Sequence, residues 1–533
     1  MLSREEKVMN RSGSINALTP GRALNSGAKA HSFRGVFSAR LKPRPFKAGD
    51  FVSELRARDI RHWLIWMLVV MFLAVARTGW AQSDPGQQPA SGAQQPSGQD
   101  NQSQPEANLP ISGIDQPSLG ARFPARSFLV PGAHVSEALD SNVGQTAGTS
   151  AINGVTRALG SLMLQKIGSR YMTAFDYVGG VAFYTGISPS TSQIQQFDAE
   201  QKILWRSGAL ALRDRFSYLP EGSFGFGAYG ESGAYNLGLG GIGYVGGTLG
   251  QGLGGLFGLG EFGSLGQQPR IDNLAIADVT QSLSARSSVT VAGGYEIVHF
   301  TNNTDFIDSN QITAQAGYNY KLSRKSQIAL VYGFQYFQYP NIAGSSFSTH
   351  VASLMYGYRI SGRMDFLVGA GPQFTLIQNS FLFGGPSDRV TVSARAALRY
   401  RFPRTSIGVY YDRYNSSGSG YFVGAVSDVV RFSVSRPLTR LWTATADIGY
   451  AHNSALQQSL AGPLQPSTNS FQYVYAGAAV HRPLGRHFAL FFSYQFNDFE
   501  FNGSTCGAGG SCASQRHVVA GGLDWHPRPI RLD

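Results

Sequence analysis

The feature that most constrains this chain is an alternation of apolar residues with polar or small residues, repeated from about residue 128 to the end. Because successive side chains of a β-strand point to opposite faces, such alternation gives each strand one apolar and one polar face. In residues 312–322 the polar set is Thr313, Gln315, Gly317, Asn319 and Lys321. A soluble β-sandwich alternates in the same way, so alternation alone does not decide the architecture.

The connections between the alternating segments fall into two classes that follow each other in turn. The short class comprises LPEG (219–222), SARS (284–287), SRK (323–325), SGR (361–363), FPRT (402–405), RPLTR (436–440) and RPLGR (482–486). The long class is rich in Gly, Ser, Asn and Pro, as in residues 301–310, 379–388, 453–469 and 502–515. Outer-membrane barrels have short periplasmic turns and longer external loops. We therefore predict an all-β transmembrane antiparallel β-barrel of about 18 strands, or 16 without the first two, with both barrel termini periplasmic.

Composition agrees with a sheet that faces lipid on one side and water on the other. Charged residues make up 14% of the chain, whereas soluble chains average about 25%. Residues 1–61 hold 13 Lys/Arg against 5 Asp/Glu, a net charge of +8, whereas from Gln82 onward 30 against 27 leaves +3. The basic excess therefore precedes the barrel, and the net charge of +12 does not indicate a nucleic-acid partner.

Four regions are predicted along the chain. Residues 1–61 form a basic extension that is either cytoplasmic or the product of a start codon placed too early. Residues 62–81 read as a signal peptide, since the apolar run Leu64–Ala76 is too short to span a bilayer and ends in a small-residue site, with cleavage between Ala81 and Gln82. A retained membrane anchor is the alternative. Residues 82–127 are a flexible low-complexity periplasmic linker, and residues 128–533 are the barrel.

Two features of the predicted external loops stand out. The Gly/Leu-rich connection 236–270 is nearly uncharged, and we expect it either to be mobile or to fold into the barrel mouth as a constriction. Cys506 and Cys512 flank a short Gly-rich stretch, which favours a disulfide across a loop tip in an exported protein. Two thiols without a nearby His cluster do not make a metal site.

The residues expected to carry function lie on the polar face of the strands. Charge on the lipid face costs about 2–4 kcal/mol near the bilayer midplane, so charged strand residues should face the lumen or the rim. The predicted lumen-lining and selectivity residues are Arg395, Arg399, Arg401, Arg431, Asp447 and Lys321. They are interpreted either as simple solvation of the wall or as a basic track that favours anionic solutes.

No nucleophile motif accompanies the scattered histidines, so no catalytic residue, metal or cofactor is predicted. The Gly-rich stretch at 237–242 lacks the strand–helix unit that a nucleotide site requires.

Two segments carry a family resemblance. HVSEALDSNV (134–143) resembles the opening strand of the putative β-barrel porin type 2 group, and LALRDRFSYLPEGSFGFG (210–227) is similar to a strand–turn–strand of outer-membrane barrels of the acidobacterial kind. The resemblance implies an outer-membrane barrel and names no substrate. The long Gly/Leu loop departs from the group's pattern.

The leading functional hypothesis is porin-like passive passage of small hydrophilic solutes, or support of export, since 16–18 strands leave room for water. The alternative is a structural or surface-interaction barrel with a plugged lumen, followed by a barrel enzyme. The expected partners are the outer-membrane lipid bilayer, the barrel-assembly machinery and small polar solutes.

Overall fold

The computed structural model describes residues 111–112, 127–143, 152–186, 190–219, 269–301, 306–342, 345–378, 387–418, 420–456, 468–503 and 513–532. Within these ranges the strands are β1 (Phe128–Asp140), β2 (Asn153–Ile167), β3 (Tyr171–Tyr184), β4 (Thr191–Trp205), β5 (Gly208–Leu219), β6 (Arg270–Ser282), β7 (Ser287–Phe300), β8 (Ser309–Lys321) and β9 (Ser326–Gln338). They continue as β10 (Ser346–Ser361), β11 (Met364–Gln378), β12 (Ser387–Arg401), β13 (Ser406–Ser416), β14 (Ala425–Pro437), β15 (Thr443–Ala455), β16 (Thr468–Leu484), β17 (Phe488–Gly503), β18 (Ala513–Trp525) and the two-residue β19 (Ile530–Arg531).

The strands form one closed antiparallel sheet. Each strand from β1 to β17 pairs with the next, and β1 also pairs with β18, which closes the ring between Ala133↔Trp525 and Asp140↔Val518. The short β19 adds two residue pairs to β1 beyond the end of β18. The predicted barrel of about 18 strands is therefore confirmed, and the first two strands belong to it.

The two faces of the wall carry the predicted residue sets. On β8, Ile312 and Tyr318 are exposed outward, while Gln315 and Asn319 are buried on the inner face. β17 repeats the pattern, with Phe492 exposed and the polar inner-face side chains buried. Alternation of this kind gives a membrane barrel an apolar exterior and a polar interior. Among the described residues no helix is long and apolar enough to cross a bilayer.

The connections alternate between a short-turn end and a long-connection end, and both barrel termini lie at the short-turn end. One turn differs from the sequence interpretation, which counted LPEG (219–222) among the short turns: Leu219 ends β5 at the long-connection end, and residues 220–222 lie outside the described residues. Instead, β4 and β5 meet at a tight turn, Arg206–Ser207. A side chain at Gly208 would collide with the Thr280 carbonyl, so the chain reverses where only glycine fits. The polar residues before Trp205 belong to β4, and its inner face carries charged side chains such as Glu200.

Several predictions fall outside the described residues. These are the extension 1–61, the signal segment with Ala81 and Gln82, the cysteines Cys506 and Cys512, and all but the last two residues of the connection 236–270. They stay predictions.

Candidate functional site

The inner wall of β11–β13 holds two of the predicted arginines in ion pairs. Arg399 donates from Nε and Nη2 to the two carboxylate oxygens of Asp365, at 2.6 and 2.8 Å. Arg395 donates from Nε to Asp412 at 2.5 Å. Both arginine side chains are 13% exposed. The expected basic track is therefore neutralised at these two positions by carboxylates from the adjacent strands.

The remaining predicted lumen residues are placed by register. Arg431 pairs with Tyr410 on β13 and lies on the same face as the buried Ser433, which is the inner one. Lys321 pairs with Gln327 at the short-turn end of β8, two residues after the buried Asn319.

Two further positions are fixed only in the backbone. Arg401 pairs with Ser406, and Asp447 pairs with Ser433. The side chains of Arg401 and Asp447 are outside the described part of the chain.

A larger charge cluster lies on the inner faces of β4, β5 and β6, and sequence reasoning missed it. Arg213 lies between Glu200, at 3.6 Å, and Asp278, at 3.3 Å. Arg215 lies 3.7 Å from Asp272. These groups occupy registered neighbouring positions, so opposite charges face each other across the sheet. The sequence did contain a signal. Asp198 and Glu200 are acidic residues two positions apart, and Arg213 and Arg215 are basic residues with the same spacing, so each pair lies on one face of its strand.

Buried ions also join the two strands that close the barrel. The Arg516 guanidinium of β18 forms a two-oxygen contact with the Asp140 carboxylate of β1, and both side chains are 1% exposed. Bidentate arginine–carboxylate contacts are among the strongest and most directional hydrogen bonds in proteins. The Arg516–Asp140 contact therefore favours one relative position of β18 and β1 at the seam.

The same seam holds a hydrogen-bonded series of Ser161, His134 and Asp524. The His134 ring is 2.8 Å from Asp524 through Nδ1 and 2.8 Å from the Ser161 hydroxyl through Nε2. This is the order of groups that activates a serine for acyl transfer. Acyl transfer also needs N–H donors aimed at a developing oxyanion, whereas the backbone around Ser161 lies within the β1–β2–β3 ladders. The series is better explained as a contact that joins β1, β2 and β18.

At the long-connection end, β13 separates from β12 while β14 stays in the wall. Pairing of β13 with β12 stops at Ala394↔Arg413, whereas β13 stays paired with β14 up to Ser416↔Ala425 and β14 stays paired with β15 up to Ala425↔Ala455. Beyond the last pair with β12, Asn415 donates from Nδ2 to Thr349 at 3.0 Å and to Thr375 at 2.7 Å, on the inner faces of β10 and β11. The end of β13 therefore bends into the lumen.

The connection between β13 and β14, residues 417–424, is here called the tip; all of it except residue 419 is described. The Tyr339 hydroxyl donates to the Ser417 carbonyl at 2.9 Å, and the Ile307 N–H donates to the Gly420 carbonyl at 2.9 Å. Gly420 has a φ of +79°, and a Cβ there would meet the Phe300 ring at 2.8 Å. The backbone of the tip is thus held against the β7–β9 side of the mouth.

Aromatic rings continue from the tip to the other side of the mouth. The Tyr421 ring lies 5.3 Å from Phe306, 5.7 Å from Phe471 and 5.7 Å from Phe499, between ring centroids. Phe306 lies 5.0 Å from Phe300 at the end of β7. Since 16 − 7 = 9 is half of 18, β7 and β16 are opposite in the ring. The tip therefore spans the mouth from the β7 side to the β16 side. The constriction predicted for residues 236–270 stays a prediction.

Between the mouth and the short-turn end, several buried amides of the inner wall have polar atoms without a hydrogen-bond partner. Neither side-chain polar atom of Gln335 has one among the described residues, and Nε2 of Gln373 lacks one as well. Both residues are at most 2% exposed. A buried polar group left unpaired costs about 1–3 kcal/mol. No described residue therefore meets the hydrogen-bonding capacity of these amide atoms.

No family model and no curated protein matches the chain. The fold is similar to solved structures of Pseudomonas aeruginosa proteins. OccK2 (OpdF) in complex with glucuronate is 9% identical, with 76% of this chain and 98% of that chain covered and a TM-score of 0.39. OpdL is 9% identical, with 76% and 99% covered and a TM-score of 0.38, and the outer membrane protein OpdK is 8% identical, with 75% and 98% covered and a TM-score of 0.37. The type 2 porin and acidobacterial resemblances stay predictions.

The described part of the chain contains no group of three or more His, Cys, Asp or Glu side chains placed to hold a metal ion.

Proposed function

We propose that this protein is an outer-membrane channel for small hydrophilic solutes that rests in a closed conformation and opens when the tip leaves the mouth. The observation that carries this proposal is the inner wall, which holds ion pairs on β4–β6 and β11–β13 and buried amides with unmet hydrogen bonds at Gln335 and Gln373. A barrel that served only as a scaffold would gain by filling such positions with apolar side chains.

The paired charges define the kind of solute. Arg395 and Arg399 each face a carboxylate, and the β4–β6 cluster alternates acidic and basic groups. Paired charges present donors and acceptors to a passing molecule and leave little net field. The channel should therefore favour neutral or zwitterionic polar solutes, with weaker anion preference than bare arginines would give. Arg401, Arg431, Asp447 and Lys321 remain proposed contributors to selectivity.

We propose that the barrel lies in the outer membrane with its short-turn end and both barrel termini in the periplasm. The apolar outer faces support the membrane location, and the short turns support this orientation. The barrel-assembly machinery is the expected insertion partner. We infer no enzymatic role, since the Ser161–His134–Asp524 series is explained by seam contacts.

Liposome swelling tests the proposal. Purified protein in proteoliposomes should admit small sugars and amino acids slowly, with rates that fall as solute size rises. A variant that lacks the tip aromatics should admit the same solutes faster. Absence of swelling in both proteins would overturn the channel.

A second candidate, a plugged surface-interaction barrel, is favoured by one observation, the ring contacts that cross the mouth. The two candidates differ in whether the closed mouth can open. The swelling assay with the tip variant separates them, since a permanently plugged barrel admits no solute even without Tyr421 and Phe422.

A further inference from the structure

Two residues from upstream of the barrel lie inside the lumen. Ile111 and Ser112 belong to the segment predicted as a linker, and Ser112 is 1% exposed. The Ile111 N–H donates to Oδ1 of Asn319 at 3.0 Å, and Asn319 Nδ2 donates back to the Ser112 hydroxyl at 2.6 Å. One side chain of β8 thus makes two contacts with consecutive residues of the segment.

The Ser112 carbonyl is bound as well. It accepts from the Thr290 hydroxyl at 3.2 Å and from Nε2 of Gln315, and the hydroxyl of Ser112 also contacts that of Thr290. These wall groups come from the inner faces of β7 and β8. Backbone and side-chain groups of the dipeptide are therefore satisfied by the wall.

The wall also has a shape that fits the dipeptide. A Cβ at Gly317 would collide with the Ser112 side chain, so the missing side chain makes the space that Ser112 fills. A Cβ at Gly357 would lie 3.6 Å from Cγ2 of Ile111. Ile111 packs against an apolar patch on the inner faces of β9–β12 formed by Ala329, Val331, Val351, Met355, Leu367 and Ala397. The patch therefore covers the aliphatic side chain of Ile111.

We propose that the inner faces of β7–β10 form a peptide-binding site, occupied by this chain's own Ile111–Ser112, and that the bound segment narrows the lumen near the short-turn end. The site takes a short peptide whose backbone and hydroxyl pair with Thr290, Gln315 and Asn319 while an aliphatic side chain enters the β9–β12 patch. The effect on passage rests on the proposed channel function, whereas the occupancy of the site does not. The tip would then cross the lumen at the mouth, and the segment would narrow it near the short-turn end.

Disulfide trapping tests occupancy directly. Because the hydroxyls of Ser112 and Thr290 are in contact, the double variant Ser112→Cys/Thr290→Cys places two thiols where their hydroxyls were. Oxidation by two Cu(II) phenanthroline complexes, each of which accepts one electron while the two thiol protons pass to the buffer, should link them, and mass spectrometry should identify the linked peptides. Ser112→Cys/Ser136→Cys is the matched control, since Ser136 is a buried inner-face residue of β1. Absence of the 112–290 link, or equal linking in both variants, would overturn the site.

The double variant Ser112→Cys/Thr290→Cys also tests whether the bound segment narrows the lumen. Proteoliposomes with the trapped segment should swell at least several-fold more slowly than the same preparation after reduction, and oxidised wild-type protein gives the baseline for Cys506 and Cys512. Equal swelling before and after reduction, with the link present, would contradict narrowing while the channel stands. If no preparation swells, the channel fails, and the yield of the link alone decides the site.

Asn319→Ala/Gln315→Ala provides a second arm. Loss of three contacts to Ile111 and Ser112 should free the segment and raise the swelling rate of an otherwise wild-type chain. Ile111→Asp/Ser112→Pro in the chain should also free the segment while the wall groups stay intact. A synthetic peptide of residues 108–115, added in excess, should lower the swelling rate of this variant and should have no effect on Asn319→Ala/Gln315→Ala. No response to either change would overturn narrowing by the segment.

Discussion

The β1–β18 seam and the mouth under the tip are both closed, but by different kinds of contact. The seam is closed by strand pairing and by buried charge, above all Arg516 on Asp140 at 1% exposure each. The mouth is closed by ring contacts of Tyr421 and a few backbone hydrogen bonds. Breaking a buried ion pair costs about 3–5 kcal/mol, whereas aromatic pairs contribute about 0.5–1.5 kcal/mol each. We therefore expect the seam to stay closed and the proposed opening to take place at the mouth.

The largest expected effect is at the seam. Asp140→Asn leaves the Arg516 charge buried without its counter-charge, and it should lower the free energy of unfolding by about 3–5 kcal/mol. Thermal or urea unfolding, followed by the gel shift of the unfolded barrel, measures this loss. Glu137→Gln on the same strand is the control, because Glu137 is exposed on the outer face and its change should stay within about 0.5 kcal/mol. Equal effects of the two substitutions would contradict a seam held by buried charge.

The mouth should respond in permeability more than in stability. Tyr421→Ala/Phe422→Ala removes the rings that join the two sides, and swelling rates should rise about tenfold, since a shift of 1.4 kcal/mol is tenfold in an equilibrium. Tyr450→Ala, on the exposed outer face, provides the control and should leave the rate unchanged. A large loss of stability without faster swelling would mean that the tip is part of the fixed core.

Selectivity should shift by a few-fold when one lumen carboxylate is removed. Asp365→Asn frees the Arg399 charge, so the reversal potential in a salt gradient should move toward anion preference. Asp214→Asn is the control, since Asp214 accepts from Asn273 on the outward register. The swap Asp365→Arg/Arg399→Asp should restore the original value, and an unchanged reversal potential in Asp365→Asn would remove this pair from the pathway.

The smallest expected effect is the loss of folding stability caused by a substitution at Ser161. Ser161→Ala removes one hydrogen bond to His134 and should cost about 0.5–1.5 kcal/mol. A fluorophosphonate probe should leave the wild-type protein unlabelled, because the series serves as a seam contact. Stoichiometric labelling that is lost in Ser161→Ala would make the series catalytic.

Much of the fold was predictable from the chain itself, because alternation is local. The inner sets of β8, β12 and β17 and the alternation of connection lengths are visible without any long-range contact. The turn at 206–207 was not among the predicted short turns, because it is only two residues long. Local patterns also placed Arg395, Arg399 and Arg431 on the inner wall.

The pairs of the site could not be predicted, because they depend on register and closure. Arg399 and Asp365 are 34 positions apart, and His134 meets Asp524 across 390 positions only when the ring closes. The position of the tip was harder still to predict. A Gly/Ser-rich connection does not indicate that Asn415 will reach Thr349 and Thr375 on β10 and β11. Long-range contacts of this kind follow from the whole barrel and not from any one segment.

Single-channel recording in planar bilayers tests most directly the claim that the mouth is a gate. Wild-type protein should be closed for most of the record, with brief openings. Tyr421→Ala/Phe422→Ala should show openings of the same unit conductance but much longer duration. A larger unit conductance without a change in open time would mean that the tip only narrows a permanent pore. Absence of openings in both proteins would contradict the channel itself.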